Sequence, residues 1–371
     1  MVVSLPLVTI NLVVRDGEKY VHQCLDSVKS QTYQNIEVNI HDNASTDKTK
    51  EIIKSWLLEA RSQKLPRFSL IESSENLGMW PGQEELLKHS RGKYIVVLSV
   101  DVILDKNFVR NAVDRMEGDP MIGALQPKVY QYNASQLLTP KSFATGQATH
   151  YPLQTINYSL QTRTIDTCGF QIFRSRRLIN VGHGEVDHGQ FDRERQVFAV
   201  EGAVPVFQRQ ALESCRLETQ GGSIVDKDFF WYGDDLDLAW RMRLFGWKQV
   251  YAPAVIAYHD RSTTKDVSRH WLDYFGRIKK RRQIPIKKRR LDWANYRLAL
   301  IKNDHTANLL KDLPRIALGE LMVLGYTLLF EPAVFLEFPR FFRLAPKMLR
   351  RRQEIMAKAK VSAAEIHQWM T

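Results

Sequence analysis

Several features that mark common enzyme classes are missing from this 371-residue chain. No GxGxxG follows the first strand pattern and no GxxxxGK(S/T) occurs anywhere, which argues against dinucleotide dehydrogenases and P-loop NTPases. Cysteine is scarce: Cys24, Cys168 and Cys215 are widely spaced, form no metal-ligand pattern and favour a reducing compartment. The N-terminus has no basic stretch ahead of its apolar residues, so we expect no signal peptide.

Positive charge is concentrated in the last third of the chain. The net charge is +12, but residues 261–371 contain 24 Lys and Arg against 10 Asp and Glu, a net of +14. The first 260 residues therefore carry a net charge of −2. This asymmetry predicts an anionic partner for the C-terminal part, either a membrane surface or nucleic acid.

Strand and helix patterns alternate through the first hundred residues. Helices are predicted over residues 21–31, 48–60 and 83–89, and strands over 7–14, 36–40, 68–72 and 94–98, with a later short strand at 249–252. Such alternation predicts an α/β fold with a mostly parallel sheet flanked by helices. Ligands of these sheets bind beyond the carboxyl ends of the strands, so we expect Asp42, Asn76 and Asp101 to share one cleft.

An unusual concentration of carboxylates opens a predicted helix that ends at Gly246. Asp234, Asp235 and Asp237 fall within four residues, directly after the aromatic segment 229–232. Helix capping and the helix dipole explain one such carboxylate. Two adjacent carboxylates repel each other, so we expect one of the pair to face a cation or to act as a base.

The ordered set of motifs resembles family 2 glycosyltransferases with the GT-A fold, most closely the bacterial rhamnosyltransferase-like branch. The motifs are DNASTD, NLG, a strand ending in SVD, and YGDDLDLAWR followed by GW and a His. The resemblance covers roughly residues 6–260. It implies a GT-A catalytic domain at 1–260, with a nucleotide-binding half at 1–101 and a sugar and acceptor half at 102–260, then a basic helical extension at 261–371.

The resemblance implies a donor site at the ends of the first strands. Asp42 would contact the nucleotide base, beside the backbone of Val13 and the side chain of Arg15. Asn76 and Gly78 would form a wall of the nucleotide-sugar site. The alternative for these polar residues is a structural role in caps and turns, which Asp, Asn and Gly often serve.

Ser99, Val100 and Asp101 stand where the family has an Asp-X-Asp motif. The charge of a nucleotide diphosphate must be neutralised as its bond to the sugar breaks, and Mg²⁺ or Mn²⁺ can do this with few protein ligands. The resemblance implies that Asp101 holds this divalent cation and that His259 completes its shell. The alternative is that Asp101 begins a loop and that His259 is structural.

The catalytic base implied by the resemblance is Asp235, because an inverting transfer needs a group that takes the proton of the acceptor hydroxyl. Asp234 stands where relatives usually have Glu, and Asp237 is expected to pair with Arg241. Which of Asp234 and Asp235 takes the proton stays open. Residues implied to contact the sugar or the acceptor are Gly169, Gln190, Gly202, Trp231 and Tyr232.

The C-terminal extension combines basic and apolar segments. Residues 279–290 hold eight basic residues in twelve, and residues 312–342 are apolar but are interrupted by Glu320, Glu331 and Glu337. We therefore expect no transmembrane helix. Apolar helices with basic flanks fit a protein that lies on an anionic leaflet, which makes nucleic acid the less favoured partner.

These patterns and the resemblance together predict an inverting, metal-assisted glycosyltransferase. The implied donor is dTDP-L-rhamnose, and the implied acceptor is a lipid-linked saccharide of cell-surface polysaccharide synthesis. The expected location is peripheral, on the cytoplasmic face of the bacterial inner membrane. Two alternatives remain: the same chemistry with galactofuranose or N-acetylglucosamine, or a non-catalytic sugar- or nucleic-acid-binding protein on the same fold.

Overall fold

A mixed sheet organises the protein in our computed structural model, which describes residues 5–62, 67–134, 162–261, 278 and 281–371. The strands are β1 (Val8–Val14), β2 (Ile36–Asp42), β3 (Arg67–Glu72), β4 (Tyr94–Ser99), β5 (Val102–Leu104), β6 (Ile122–Gln131), β7 (Ile165–Thr167), β8 (Phe170–Ile172), β9 (Leu178–Asn180), β10 (Arg195–Gln196), β11 (Val206–Gln208) and β12 (Lys248–His259). All except β8 and β9, which form a separate pair, belong to this sheet.

The helices are α1 (Val21–Lys29), α2 (Thr49–Ser62), α3 (Met79–Leu87), α4 (Phe108–Glu117), α5 (Arg209–Ser214), α6 (Asp234–Leu244), α7 (Ile286–Asn303), α8 (Thr306–Lys311), α9 (Leu313–Phe330), α10 (Phe338–Lys358) and α11 (Ala363–His367). Short 3₁₀ helices cover Glu218–Gln220 and Pro332–Glu337. The predicted α/β class, with a helical C-terminal extension, is confirmed.

The sheet divides into a parallel part and a mixed part. Strands β3, β2, β1 and β4 are parallel neighbours, whereas β11 lies antiparallel between β4 and β6. Strand β6 pairs in parallel with β12, and β5, β7 and β10 add antiparallel pairs. The carboxyl ends of β1 and β4 therefore meet at one edge, as the sequence pattern predicted.

Side chains of the central strands alternate between two hydrophobic clusters. In β4, Val96 and Leu98 join one cluster with α1, α2 and α4, whereas Ile95 and Val97 join another with α6, α7 and α10. This is the two-sided burial expected of a parallel strand. The three cysteines are buried and free; Cys24 and Cys215 pack in these two clusters, and Cys168 packs in a smaller one with Phe191 and Tyr251.

Two predicted elements differ from the observed ones. Helix α3 begins at Met79, four residues before the expected start, because Pro81 lies in its first turn, where a missing N–H costs no helical bond. Strand β12 continues to His259 instead of ending near Ala252. Its pairing with β6 is irregular between Ala252 and Ile256, around Pro253, which cannot donate to the ladder.

The C-terminal extension packs into the interior of the catalytic part. On α7, Lys302 pairs with Asp226 at 2.7 Å and with Asp237 at 2.8 Å, and all three side chains are buried. The end of the chain returns to the sheet region, where the N–H of Arg174 donates to the carbonyl of Thr371 at 2.9 Å. The expected boundary at residue 260 stays a prediction, although the two parts share one hydrophobic cluster.

Helix α9 differs from the sequence expectation for the apolar segment. Its 18 residues, Leu313–Phe330, are long and apolar enough to cross a membrane by length and composition, so the expectation that the acidic residues break every such run is wrong. Most of its apolar side chains are exposed, including Leu321 and Leu329. The basic residues Lys279 and Lys280, predicted as part of the adjoining cluster, lie outside the described residues.

Candidate active site

A cavity of about 680 Å³ lies where the ends of β1 and β4 meet the start of α6. Most of the residues selected from the sequence line this cavity: Val13, Arg15, Asn76, Gly78, Ser99, Val100, Asp101, Gly202, Trp231, Tyr232, Asp234, Asp235 and His259. The fold thus brings selected residues between Val13 and His259, far apart in the sequence, together around one cavity.

Asn43 organises the donor side of the cavity. Its Nδ2 donates to Asn76 Oδ1 and to the carbonyl of Gly78, both at 3.0 Å, and its Oδ1 accepts from the N–H of Leu77 at 2.8 Å. One amide therefore fixes the whole loop before α3. Gly78 has φ +96, and a Cβ there would lie 2.4 Å from the carbonyl oxygen of Phe230, so glycine is required by both conformation and space.

Asp101, His259, Asp166 and Arg261 form a continuous series of ion pairs beside the cavity. His259 Nε2 lies 3.3 Å from Asp101 Oδ2, and its Nδ1 lies 2.9 Å from Asp166 Oδ2. On the other side of Asp166, Arg261 Nε lies 2.9 Å from Oδ1. The pairing of β12 with β5 places His259 opposite Val102, which brings Asp101 and the histidine together.

The two carboxylates set the charge of the histidine. Burial by itself would lower the pKa of His259, but Asp101 and Asp166 outweigh it and raise the pKa to about 10. Burial would raise the pKa of Asp101, but His259 outweighs it and the pKa is lowered. Asp166 likewise has a lowered pKa, since Arg261, His183 and His259 outweigh its burial.

Two adjacent carboxyl groups occupy the start of α6. Asp234 Oδ1 accepts from the N–H of Asp235 at 3.2 Å, and its buried Oδ2 has no hydrogen-bond partner among the described residues. Asp235 Oδ1 accepts from the N–H of Leu236 at 2.8 Å. A Cβ on Gly202 would lie 3.1 Å from the Asp235 Cβ, so a larger residue at position 202 would crowd this carboxyl.

Burial raises the pKa values of both carboxyl groups. Burial, reinforced by the charge of Asp235, raises the pKa of Asp234 well above its ordinary value. Burial, reinforced by Glu201, raises the pKa of Asp235 to about 6. Ionising both adjacent carboxyl groups at once is therefore unfavourable, which makes the pair a candidate for proton transfer.

Asp237, the third carboxylate of α6, has a structural role. It accepts from Arg241 at 2.7 Å, which confirms the predicted i,i+4 pair, and also from Lys302 at 2.8 Å and Asn303 at 2.7 Å. Burial would raise the pKa of Asp237, but Lys302 and Arg241 outweigh it and the pKa is lowered. A carboxylate that already accepts three charged or amide donors is a poor proton acceptor.

The acceptor loop, which we define as residues 229–233, has an unusual backbone. Phe230 and Tyr232 have positive φ angles of 61 and 66, and Gly233 follows with 80. Trp231 is 45% exposed and stacks on Tyr232, with ring centres 4.4 Å apart. Left-handed backbone at aromatic residues is strained and persists only where the surroundings hold it.

Asn295 of α7 holds the acceptor loop in this conformation. Its Nδ2 donates to the carbonyls of Phe229, Trp231 and Tyr232 at 2.8, 2.9 and 2.8 Å. Its Oδ1 accepts from Arg340 Nη2 at 2.9 Å. The C-terminal extension therefore shapes the wall that faces Asp235.

Comparison with known proteins shows which family part of this chain is similar to. Residues 9–182 match the family model described as Glycosyl transferase family 2. This part of the chain is therefore similar to family 2 glycosyltransferases. The chain is 28% identical over 132 residues to the glycosyltransferase GlyA of Streptococcus pneumoniae serotype 4, covering 35% of this chain and 18% of that protein. It is 24% identical over 132 residues to GlyG of the same organism, covering 35% and 41%. The chain spans less than half of either relative.

The fold of the glycosyltransferase domain is also found in a solved structure. The crystal structure of GalNAc-T7 with UDP, GalNAc and Mn²⁺ superposes with a TM-score of 0.53 at 12% identity, covering 81% of this chain and 48% of that one. This similarity supports the GT-A fold that the resemblance implied.

The residues at this wall of the cavity fit a divalent cation. Asp101 would supply an oxygen ligand, and His259 would supply a ring nitrogen once the cation displaces its proton. The other ring nitrogen of His259 is held by Asp166, an arrangement typical of metal-binding histidines. Within the described ranges, no group of three His, Cys, Asp or Glu side chains forms a complete ligand set. Two protein ligands suit a cation whose remaining positions are filled by phosphate oxygens.

Three selected residues lie outside the cavity wall of the glycosyltransferase domain. Asp42 is fully buried, accepts from the N–H of Ser45 at 3.3 Å and lies 3.5 Å from Lys50 Nζ. Gly169 has φ +96 and adjoins the side chain of Val197. Next to Asp42 in the sequence, Asn43 lines the cavity. Three residues before Gly169, Asp166 contacts His259, which lines the cavity.

Gln190 stabilises its own loop. Its Oε1 accepts from the N–H of His188 at 2.6 Å and its Nε2 donates to the carbonyl of Val186 at 2.7 Å. The structure thus gives Gln190 local hydrogen bonds, and Gln190 does not line the cavity.

Sequence reasoning missed several residues that reach the site. Asn43 was quoted within a motif but not selected, and Asp166 was passed over for the nearby glycine. The other missed residues come from distant segments that no local pattern links to the cavity: Glu201, Arg261, Lys287, Lys288 and Asn295. The one signal in the sequence for Asp166 was that it is an acidic residue three positions before the selected Gly169.

Proposed function

We propose that this protein is an inverting glycosyltransferase that moves a sugar from a nucleotide-sugar donor to an acceptor hydroxyl. The observation that carries the proposal is the arrangement of two functional pairs in one cavity. Asp234 and Asp235 are adjacent carboxyl groups whose pKa values are both raised by burial, and Asp101 and His259 form a polar pair that would hold a cation.

In this reaction Asp235 accepts the proton of the acceptor hydroxyl. The acceptor oxygen forms a bond to the anomeric carbon while the bond from that carbon to the diphosphate oxygen breaks, and the electron pair leaves with the nucleoside diphosphate. A base with a pKa of about 6 is ionised at neutral pH and still basic enough to assist this attack. Asp234 lies beside this base, and burial together with the charge of Asp235 raises its pKa, which disfavours ionising both groups at once.

The donor side is formed by the segment that precedes α3 and by the end of β4. Asp101 and His259 would hold a Mg²⁺ or Mn²⁺ ion. When bound, the cation supplies charge neutralisation for the leaving diphosphate. Asn43 and Asn76 shape the loop against which the donor rests, and Val13, Arg15, Ser99 and Val100 complete that wall.

The finer assignment of substrates rests on the motif resemblance. It favours dTDP-L-rhamnose as donor, with galactofuranose or N-acetylglucosamine donors as alternatives, and a lipid-linked saccharide as acceptor. The exposed ring of Trp231, stacked on Tyr232, provides an apolar face of the kind on which sugar rings pack. Both rings line the cavity that contains Asp235.

Peripheral attachment to the cytoplasmic face of a bacterial inner membrane is supported by how α9 is anchored. Asp312, just before the helix, pairs with Arg176 at 2.7 Å, and Glu331, just after it, pairs with Arg281 at 2.9 Å. The helix is about 27 Å long, close to the hydrocarbon thickness of about 30 Å. A spanning helix would separate these two ends across the bilayer, whereas both are tied to one protein body.

The exposed side of α9 supplies an apolar surface for that attachment. Its exposed apolar residues are Leu313, Leu318, Leu321, Met322, Val323, Leu324, Leu328 and Leu329. A groove of about 380 Å³ between α7 and α9 is lined by Trp293 and Leu324, among others, and it could accept an acyl or prenyl chain. Nearby cations of the basic extension would add attraction to an anionic leaflet.

A panel of nucleotide sugars tests the proposed function. Full-length protein is incubated with dTDP-, UDP- and GDP-linked sugars, with and without Mn²⁺, and release of the nucleoside diphosphate is measured. We expect one donor class to be turned over in a Mn²⁺-dependent manner and Asp235→Asn to abolish the release. A non-catalytic binding protein would bind sugar or nucleic acid and release no nucleotide from any donor.

A further inference from the structure

Glu201 lines the same cavity as Asp101 and Asp235, and the reaction proposed above gives it no role. It begins a three-residue segment, residues 201–203, that lies shortly before β11. Its side chain is only 12% exposed. A carboxylate that is largely removed from water is costly unless it is paired, so its partners indicate what it does.

Each carboxylate oxygen of Glu201 has a partner. Oε1 accepts from Arg261 Nη2 at 2.6 Å, and Oε2 accepts from the N–H of Ala203 at 3.0 Å. The first bond ties the segment to the residue that follows Asp260, just past the end of β12. The second bond closes a turn within the segment, because it joins residues two positions apart. The side chain therefore fixes both the place and the shape of residues 201–203.

The backbone of this segment is held by two strands. The N–H of Glu201 donates to Gln126 Oε1 of β6 at 2.7 Å, and the carbonyl of Ala203 accepts from the N–H of Ser99 of β4 at 3.0 Å. Gly202 is thus fixed from both sides. A change at Glu201 would pass to Gly202 directly.

Gly202 lies against the carboxyl group of Asp235. A Cβ on Gly202 would lie 3.1 Å from Asp235 Cβ and 3.2 Å from Asp235 Oδ2. A base must lie within hydrogen-bond reach of the hydroxyl whose proton it takes. The position of residues 201–203 therefore bears on the position of the base.

Charged groups from three elements act on Asp235. Burial raises the pKa of Asp235 and the charge of Glu201 adds to this, whereas Arg261 acts to lower it. Asp234 adjoins Asp235 on α6. Removal of the Glu201 charge would leave Arg261 less neutralised, so both changes would lower the pKa of Asp235. The other charged side chains of the cavity are Arg15, Asp16, Asp101, His259, Lys287 and Lys288.

We propose that Glu201 is a positioning residue for the catalytic base. Held by Arg261 and by its own turn, it keeps Gly202 against Asp235 and keeps a negative charge near that carboxyl group. Through Arg261, the same contacts join the base to the series of ion pairs that ends at Asp101. The inference rests on the proposed function, because it deepens the role given to Asp235.

The experiment measures the pH dependence of donor turnover by full-length protein. The substrate is the dTDP-, UDP- or GDP-linked sugar that the wild type turns over fastest, and release of the nucleoside diphosphate is followed. Glu201→Gln removes the charge and keeps the size, whereas Glu201→Asp keeps the charge and shortens the side chain. Glu194→Gln is the matched control, because Glu194 pairs with Arg115 at 2.7 Å and does not line the cavity.

We expect the acid limb of kcat, near pH 6 in wild type, to move down by about 0.5–1.5 pH units in Glu201→Gln. At pH 8 kcat should fall about 3- to 10-fold, because a less basic Asp235 takes the proton less readily. Glu201→Asp should keep the acid limb and lose about 3- to 30-fold in kcat, since Gly202 is displaced. Glu194→Gln should match wild type in both properties.

A second measurement needs no turnover. Urea unfolding gives the stability that Asp235→Asn gains between pH 4 and pH 8, and this gain should shrink by about half in the Glu201→Gln background. If Glu201→Gln does not fold, Glu201→Asp decides, and an unchanged kcat in that variant would overturn the inference.

An acid limb and a stability gain that both stay as in wild type would also overturn the inference, and they would leave the proposed function intact. Wild-type protein that releases no nucleoside diphosphate from any donor would overturn the proposed function itself, and the role of Glu201 with it.

Discussion

The side-chain amide of Asn295 donates to the backbone carbonyl of Tyr232 at 2.8 Å and so ties the C-terminal extension to the wall of the active site. The same nitrogen also reaches the carbonyls of Phe229 and Trp231. Because the loop contains two aromatic residues with positive φ, it depends on this support. The extension therefore contributes to the active site as well as to the apolar surface.

Removal of this amide should alter acceptor use more than donor use. We expect Asn295→Ala to lower the free energy of unfolding by about 1–3 kcal/mol and to raise the acceptor KM, because buried carbonyls lose their donor. Donor hydrolysis should change less than about twofold, since the loop before α3 is held separately by Asn43. Steady-state kinetics with each substrate varied separately measures this difference.

The matched control is Asn111→Ala, which removes an exposed hydrogen bond to the carbonyl of Ala254. If Asn295→Ala impairs donor hydrolysis as much as acceptor use, Asn295 supports the fold in general and does not position the acceptor loop.

The metal site predicts a dependence on Asp166, which would not touch the cation. We expect Asp166→Asn to weaken Mn²⁺ binding about 10- to 100-fold, because a neutral amide replaces the carboxylate that orients His259. Asp101→Asn should weaken it further. Electron paramagnetic resonance of Mn²⁺ titrated in the presence of nucleoside diphosphate measures the affinity, and Asp119→Asn, which disrupts a pair with Lys248 elsewhere, serves as control.

Membrane attachment should depend on the exposed face of α9. We expect the double variant Leu321→Asp and Leu328→Asp to lose sedimentation with anionic vesicles, since charges replace apolar side chains at the surface. Leu58→Asp is the control, because Leu58 is 69% exposed on α2. Equal sedimentation of all three proteins would place the membrane contact elsewhere.

Burial of Asp235 predicts a specific pH dependence of stability. Its folded pKa of about 6 lies above the ordinary aspartate value of 3.8, so the neutral form is favoured by folding. That contribution is complete below pH 4 and is lost as pH rises through 6. We expect Asp235→Asn to be about 2–4 kcal/mol more stable, relative to wild type, at pH 8 than at pH 4. Urea unfolding at both pH values measures it, and a constant difference would contradict the pKa shift.

The sequence was informative where chemistry depends on local patterns. Buried strands such as β1 and β4 were predicted because continuous β-branched runs have few alternatives, and the strand ends placed Asp101 correctly. The pair Asp234 and Asp235 was conspicuous because adjacent carboxylates are unfavourable without a reason.

The remaining site residues depend on long-range contacts that a sequence pattern does not contain. Asn295 and Lys288 reach the cavity because α7 packs against α6, far away in the chain. Gly169 and Gln190 were selected because their loops resemble the loops around the sugar in the family. In the structure Gly169 adjoins Val197, and Gln190 forms hydrogen bonds within its own loop. Asp166 acts through His259, a relationship that is visible once β12 is aligned with β5 and β6.

Sugar-transfer rates of Asp234→Asn and Asp235→Asn, measured between pH 5 and pH 9, test the central assignment most directly. We predict that Asp235→Asn loses at least about 100-fold in kcat and that Asp234→Asn, which keeps a neutral polar group, stays within about tenfold of wild type. The wild-type rate should rise through pH 6 as Asp235 ionises. A larger loss in Asp234→Asn than in Asp235→Asn, or a rate that does not fall below pH 6, would contradict Asp235 as the base.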